Sequence, residues 1–241
     1  MGSDPHGFGR LLAAVLCLGS ATVQAGEWSG QVGGEYRGFF ETPLLAEQHR
    51  SYVSAFAQPE YRHSWDNDKQ RIALVAFGRV SQYDAARTHA DIRELNWQKS
   101  GDGYELRLGI QKVFWGVTES QHLAAIVNQT DLVENPDGED KLGQPMVNLT
   151  LVRDWGTLDF FVLTGFRERT FPGCEGRLRT APPVDTKQAQ YESSRGRRRT
   201  DYALRWHKSL GGWEVGLAHF SGTSRDPRLL PGIGGDGAPA L

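Results

Sequence analysis

The stretch LRLGIQKVFWGVTESQHL, residues 106–123, decides the fold. In an extended chain successive side chains point to opposite faces, so Leu106, Leu108 and Ile110 share one side while Arg107, Gly109 and Gln111 share the other. The alternation stops at Trp115-Gly116, and the sequence beyond it is acidic and lacks a period of two. A strand with two such faces requires an apolar medium on one side and a polar one on the other.

The same pattern recurs along the chain. Trp28, Val32 and Tyr36 oppose Glu35 and Arg37, and Val53, Ala55, Ala57 and Tyr61 oppose Glu60 and Arg62. Ile72, Leu74, Ala76 and Val80 oppose Arg71 and Arg79, while Tyr104 joins the 106–110 apolar set against Glu105. Further on, Val147, Leu149 and Leu151 oppose Asn148 and Thr150, and Leu158, Phe160 and Val162 oppose Asp159. Tyr202, Leu204 and Trp206 oppose Asp201 and Arg205, and Trp213, Val215 and Leu217 oppose Glu214. Two segments fit less well. Pro59 removes a ladder donor from the second run, and 90–98 keeps the pattern only at Leu95 and Trp97.

Connection lengths supply the architecture. Tight turns at Asp66-Asn67-Asp68, Ser100-Gly101-Asp102-Gly103, Asp154-Trp155-Gly156 and Ser209-Leu210-Gly211-Gly212 alternate with long links at 41–50, 83–88, 116–145 and 170–198. Tyr61, Trp65, Trp97, Tyr104, Trp155, Trp206 and Trp213 flank the tight turns, as an aromatic belt at one membrane interface does. The expectation is an all-β, antiparallel, up-and-down transmembrane β-barrel with short periplasmic turns and long extracellular loops. About nine strands are present, against the even number usual in single-chain bacterial barrels. The final LLPGIGGDGAPAL reads as loop, without the closing strand ending in an aromatic residue. Residues 26–241 are therefore expected to be an incomplete barrel, the N-terminal part of a larger one or a truncated gene product.

Composition agrees with export and argues against polyanion binding. A hydrophobic content of 39 % is low for a soluble core in 241 residues, and a net charge of -2 does not suit a nucleic-acid binder that works by bulk charge. Arg10, the apolar run 11–18 and the small-residue stretch ending Val23-Gln24-Ala25 read as a signal peptide spanning 1–25. Its apolar run is shorter than the ~20 residues of a membrane-spanning helix. Cys174 is then the single cysteine of the mature chain, so no internal disulfide forms.

The segments ELRLGIQKVFWG, TESQHLAAIVNQTDLVENPDGEDKLGQPMV and GLAHFSGTSRDP resemble large outer-membrane porins of proteobacteria, of the alginate-export and phosphate-selective types. In such families a Gly-x-Gln strand ending in Trp-Gly leads into an Asn- and Asp-containing extracellular loop. Gly109, Gln111, Trp115, Gly116, Asn128 and Asp131 occupy matching places. The resemblance implies passive or substrate-selective diffusion through a barrel and assigns no substrate. The chain departs from the family in lacking the C-terminal strands.

On this reading Glu35, Arg37, Glu60, Arg62, Arg71, Arg79, Glu105, Arg107, Gln111, Asp159, Asp201, Arg205 and Glu214 line the lumen. Their balanced signs suit either solute selection or simple cross-strand pairing. The insert after Trp115 is the candidate constriction, with Trp115, Gly116, Glu119, Asn128, Asp131 and Glu134 as its residues. A capping box of Thr118 and Gln121 predicts a short helix over 119–127. Folded inward the insert narrows the pore; left outside it only decorates the surface. Its carboxylates Asp131, Glu134, Asp137, Glu139 and Asp140 lack EF-hand spacing, so no metal site or cofactor is expected.

Arg195, Arg197, Arg198 and Arg199 form a basic cluster suited to lipopolysaccharide phosphate, a basic pore mouth or plain solvation. The sequence holds no H-E-x-x-H, G-x-S-x-G or P-loop motif. His219 and Ser221 share a strand face, which keeps open an outer-membrane lipid hydrolase with His-x-Ser on the barrel wall. A soluble periplasmic β-rich binding protein is the other alternative to a non-enzymatic channel. The partners expected are outer-membrane lipid and lipopolysaccharide, small hydrophilic solutes and optionally further copies of the chain as a homo-oligomer. Nucleic acid is not among them.

Overall fold

The computed structural model describes residues 26–115, 126–235 and 237–241. Its main element is a nine-stranded antiparallel meander in which sequence order is spatial order. The strands are β1 (Glu27–Gly38), β2 (Ser51–Trp65), β3 (Gln70–Ser81), β4 (His89–Gly101), β5 (Tyr104–Gln111), β6 (Gln144–Arg153), β7 (Gly156–Thr164), β8 (Thr200–Leu210) and β9 (Trp213–Ser221). Two residue pairs beyond them, β10 (Gly232–Ile233) and β11 (Pro239–Ala240), form a separate small ladder. Among the described residues β1 pairs only with β2 and β9 only with β8, so the sheet they form is open rather than closed into a barrel. The predicted signal, 1–25, lies outside the described residues.

Turn chemistry follows the sequence. Asp66, Asn67 and Asp68 all take positive φ, a conformation that Asp and Asn tolerate better than most residues, and this turns β2 directly into β3. Opposite Pro59 the β2–β3 ladder lapses, while its pairing with Gly30 of β1 continues. The irregular 90–98 segment has a definite cause. The β3–β4 register shifts between Val75 and Ala76, leaving Arg93 as an extra residue between Ile92 and Glu94. This bulge reverses the facing of every later side chain, so Ile92 and Leu95 emerge on the same exposed face although they are an odd number of residues apart.

The two faces differ in kind. Trp28, Val32, Tyr36, Val53, Val80, Leu95, Leu108, Val147, Phe160, Tyr202, Leu204, Trp213 and Leu217 are all exposed large apolar groups on one face. The buried strand residues lie on the other, where Ser54, Arg79, Gln111, Gln144, Asn148, Asp159 and Asp201 accompany Val75, Phe77, Met146, Phe161 and Leu163. This distribution inverts that of a soluble sheet, which buries its apolar side.

Gly109 shows how closely neighbouring strands approach. It has φ +125°, and a Cβ there would lie 2.1 Å from the Leu95 carbonyl oxygen. Substituting Gly109→Val is expected to break the β4–β5 ladder, read as loss of amide protection in both strands while β7–β9 retain theirs.

Candidate functional site

Residues 112–143 connect β5 to β6, and the described part of this link folds back over the polar face. A single side chain ties its ends. The Asn128 amide oxygen accepts from the Val113 N–H at 2.7 Å, and its nitrogen donates to the Gln111 and Leu142 carbonyls, each at 2.9 Å. Only a short carboxamide offers an acceptor and two donors from one planar group in this space. Val127 and Trp115 then pack against Met146, Phe161, Leu163 and Ala203, an apolar patch on β6, β7 and β8 within the otherwise polar face.

The other anchor is ionic. Arg79 of β3 donates from Nη2 to the Glu134 carboxylate at 2.7 Å and from Nε at 3.0 Å, and both side chains are about 95 % buried. Arg37 of β1 donates to the Glu134 carbonyl and the Asn135 side chain at 3.0 Å each. Arg87 reaches the Val133 carbonyl at 3.0 Å and the Glu134 carbonyl at 3.2 Å. Glu35 holds these guanidiniums from beneath, pairing with Arg37, with Arg87 at 3.1 Å and with Arg79 at 3.3 Å. Arg93, the bulge residue, stacks over Phe77 at 3.8 Å and lies 4.0 Å from Glu134.

The link between β7 and β8, together with the segment after β9, holds the insert from above. Arg225 donates to Asp201 at 2.8 Å and to the Val127 carbonyl at 3.1 Å, with its guanidinium over the Phe166 and Phe220 rings. Burial lowers the Arg225 pKa from its ordinary value and the Asp201 carboxylate opposes that shift. Thr170 donates to Asp131 at 2.6 Å, and Arg167 bridges Asp91 of β4 and the Gly143 carbonyl at 2.8 Å each. The insert is thus tied to side chains from β1, β3, β4 and β8.

The sequence-assigned lumen residues all fall on the polar face, by register, but in two environments. Glu35, Arg37 and Arg79 form the socket for the insert, Gln111 is buried at its root and Asp201 is buried at its β8 end. Towards the short turns Arg62 pairs with Glu60 at 3.2 Å and Arg107 with Glu105 at 2.7 Å, while Arg71 and Glu214 stay exposed and Arg205 half-buried. Asp159 is buried and accepts from the Thr150 hydroxyl at 2.6 Å. Of the constriction residues, Trp115, Asn128, Asp131 and Glu134 are buried in the insert. Gly116, Glu119 and nearly all of the predicted 119–127 helix lie outside the described residues.

Other chemistries are less well supplied. The insert's carboxylates disperse: Asp131 meets Thr170, Asp137 caps the Glu139 N–H and Asp140 accepts from Asn135. Among the described residues no three His, Cys, Asp or Glu side chains converge as metal ligands. His219 and Ser221 do lie on the apolar face, opposite Leu204 and Tyr202, and no hydrogen bond joins them. Sequence reasoning passed over Arg87, Arg93, Arg167 and Arg225. Arg225 was within reach, because it stands in the GLAHFSGTSRDP segment immediately after the last alternating strand.

No protein-family model, no curated protein and no solved structure matches this chain. Its arrangement can hold a polypeptide segment rigidly across a polar wall. Removing one partner of a buried ion pair leaves an uncompensated charge worth about 3–5 kcal/mol. Glu134→Ala is therefore expected to release the insert, seen as faster amide exchange in 126–143 with protection in β5 to β9 unchanged. Asn128→Ala, which strands the donors and acceptors it serves, is expected to do the same at the insert's ends.

Proposed function

We propose that this chain forms the wall of an outer-membrane, porin-type channel for small hydrophilic solutes, with the described part of the β5–β6 link, 112–115 and 126–143, as the inward-folded constriction. The observation that carries the reading is the inverted sheet: apolar side chains on the uncovered face, and a polar face that the chain's own insert covers. In hydrocarbon, apolar groups such as Trp28, Leu204 and Leu217 meet lipid, and the backbone is satisfied within the sheet. In water the same face is a large contiguous apolar surface of a kind that soluble monomers avoid.

Dimensions support the reading. Trp28 and Tyr36 stand eight residues apart on the exposed side of β1. At about 3.4 Å per residue that is about 27 Å of strand, and a tilt of about 40° leaves about 21 Å, close to the ~25 Å apolar band of such barrels. The insert's position implies a restriction at the long-loop half of the wall, with a wider polar vestibule towards the short turns. Ion pairs of both signs line that vestibule, which favours small hydrophilic solutes without strong charge preference.

The test compares the two faces. Leu204→Arg, on the apolar side of β8, is expected to lose recovery from detergent-extracted outer membranes, since arginine facing lipid costs about 2–4 kcal/mol near the midplane. Arg205→Gln, one residue away on the polar side, is expected to leave recovery unchanged. A soluble periplasmic protein gives a different result: wild type appears without detergent, and Leu204→Arg raises its solubility.

A further inference from the structure

The charge of this chain is segregated among its loops. Residues 165–199, joining β7 to β8, carry nine Lys or Arg against four Asp or Glu, in a chain whose net charge is -2. Much of that excess lies within a few residues of the wall rather than at a distant loop tip. The Phe166 N–H donates to the Arg197 carbonyl at 2.7 Å, and the ladder begins at Thr164 opposite Thr200. The base of the loop is thus closed directly above β7 and β8.

Within that base, Gly196–Arg198 form a 3-10 turn capped by Arg195, and the Arg198 N–H donates to the Arg195 carbonyl at 3.0 Å. Residues three apart eclipse in a 3-10 turn, which puts the Arg195 and Arg198 side chains on the same side. The intervening and following arginines are already engaged. Arg197 pairs with Glu168, and Arg199 lies 3.5 Å from Asp201. Arg195 and Arg198 are exposed, and among the described residues neither guanidinium has a hydrogen-bond or ion-pair partner. Four residues after Arg198, near the start of β8, Tyr202 is 55 % exposed on the apolar side of the sheet. An apolar-side aromatic near the start of β8, preceded in the chain by arginines beyond the strand end, follows the order of a lipid leaflet, acyl region along the strand and phosphate past its end.

We propose that Arg195 and Arg198 bind the phosphate of an anionic glycolipid in the outer leaflet, with Tyr202 against its acyl region. The site rests on the membrane reading above. Guanidiniums suit the task because their planar fork matches phosphate oxygens and stays charged at any physiological pH. A soluble polyanion is less well matched, because it has no use for the exposed Tyr202 on the apolar side.

The experiment uses the full chain purified in detergent and titrated with micelles containing diphosphoryl lipid A or its dephosphorylated form. Wild type is expected to prefer the phosphorylated probe. Arg195→Ser with Arg198→Ser is expected to weaken that binding roughly 25-fold, about fivefold per arginine, without changing binding of the dephosphorylated probe. Sheet content by circular dichroism serves as the folding control, and Arg62→Gln, in the vestibule, as the charge control. Equal binding by the double variant overturns the site, and so does complete competition by millimolar inorganic phosphate, which identifies a soluble-anion site. Recovery of wild type without detergent contradicts the membrane reading itself, a result that the lipid titration cannot imitate.

Discussion

The Glu134 carboxylate, buried against Arg79, fixes which side of the sheet is the inside. A buried charge is stable only when paired and hydrogen-bonded, and this one comes from the insert while its partner comes from β3. The pair forms only if the polar face of β3 turns towards the insert. A slip of one residue in the β3 register carries Arg79 to the opposite face and leaves Glu134 alone in the interior. Glu35 and Arg87 extend the same constraint to β1 and to the β3–β4 link. Once this face is occupied by the chain's own insert, the apolar face is left as the exterior.

Much of the sheet is legible in the sequence because period-two alternation is a local property. Leu106, Leu108 and Ile110 declare one face and Glu105, Arg107 and Gln111 the other, and the tight turns announce themselves through Asp, Asn and Gly. The bulge at Arg93 is harder to read. It appears only as a change of phase between Ile92 and Leu95, and weak amphipathicity gives the same impression. The insert is least legible of all. Arg79 and Glu134 are 55 residues apart, and neither has a neighbour that points to the other. Asn128 was singled out by resemblance alone, whereas its physical role as a clasp requires Val113, Gln111 and Leu142 to be brought together in space.

The open edges complete the physical picture. β1 and β9 both run from the short-turn end to the long-loop end, and each has one unpaired side. Neither strand carries Lys, Pro or a bulge to discourage pairing, and β9 is exposed on both faces along almost its whole length. In hydrocarbon an unpaired backbone group costs several kcal/mol, so a membrane setting demands that these edges find antiparallel partners running the opposite way. The ties that hold the described part of the insert, from Arg37, Arg79, Arg87 and Arg225, use side chains and leave the backbone edges of β1 and β9 untouched.

The central claim is that one face of this sheet meets lipid and the other meets water and the insert. Spin labels at successive positions 202–206 of β8, in a chain with Cys17 and Cys174 replaced by serine and reconstituted in bilayers, test it directly. The expected result is an alternation with period two: 202, 204 and 206 accessible to oxygen dissolved in lipid and shielded from a water-soluble nickel chelate, with 203 and 205 shielded from the lipid-borne oxygen. Equal access of the chelate to both sets would contradict the account.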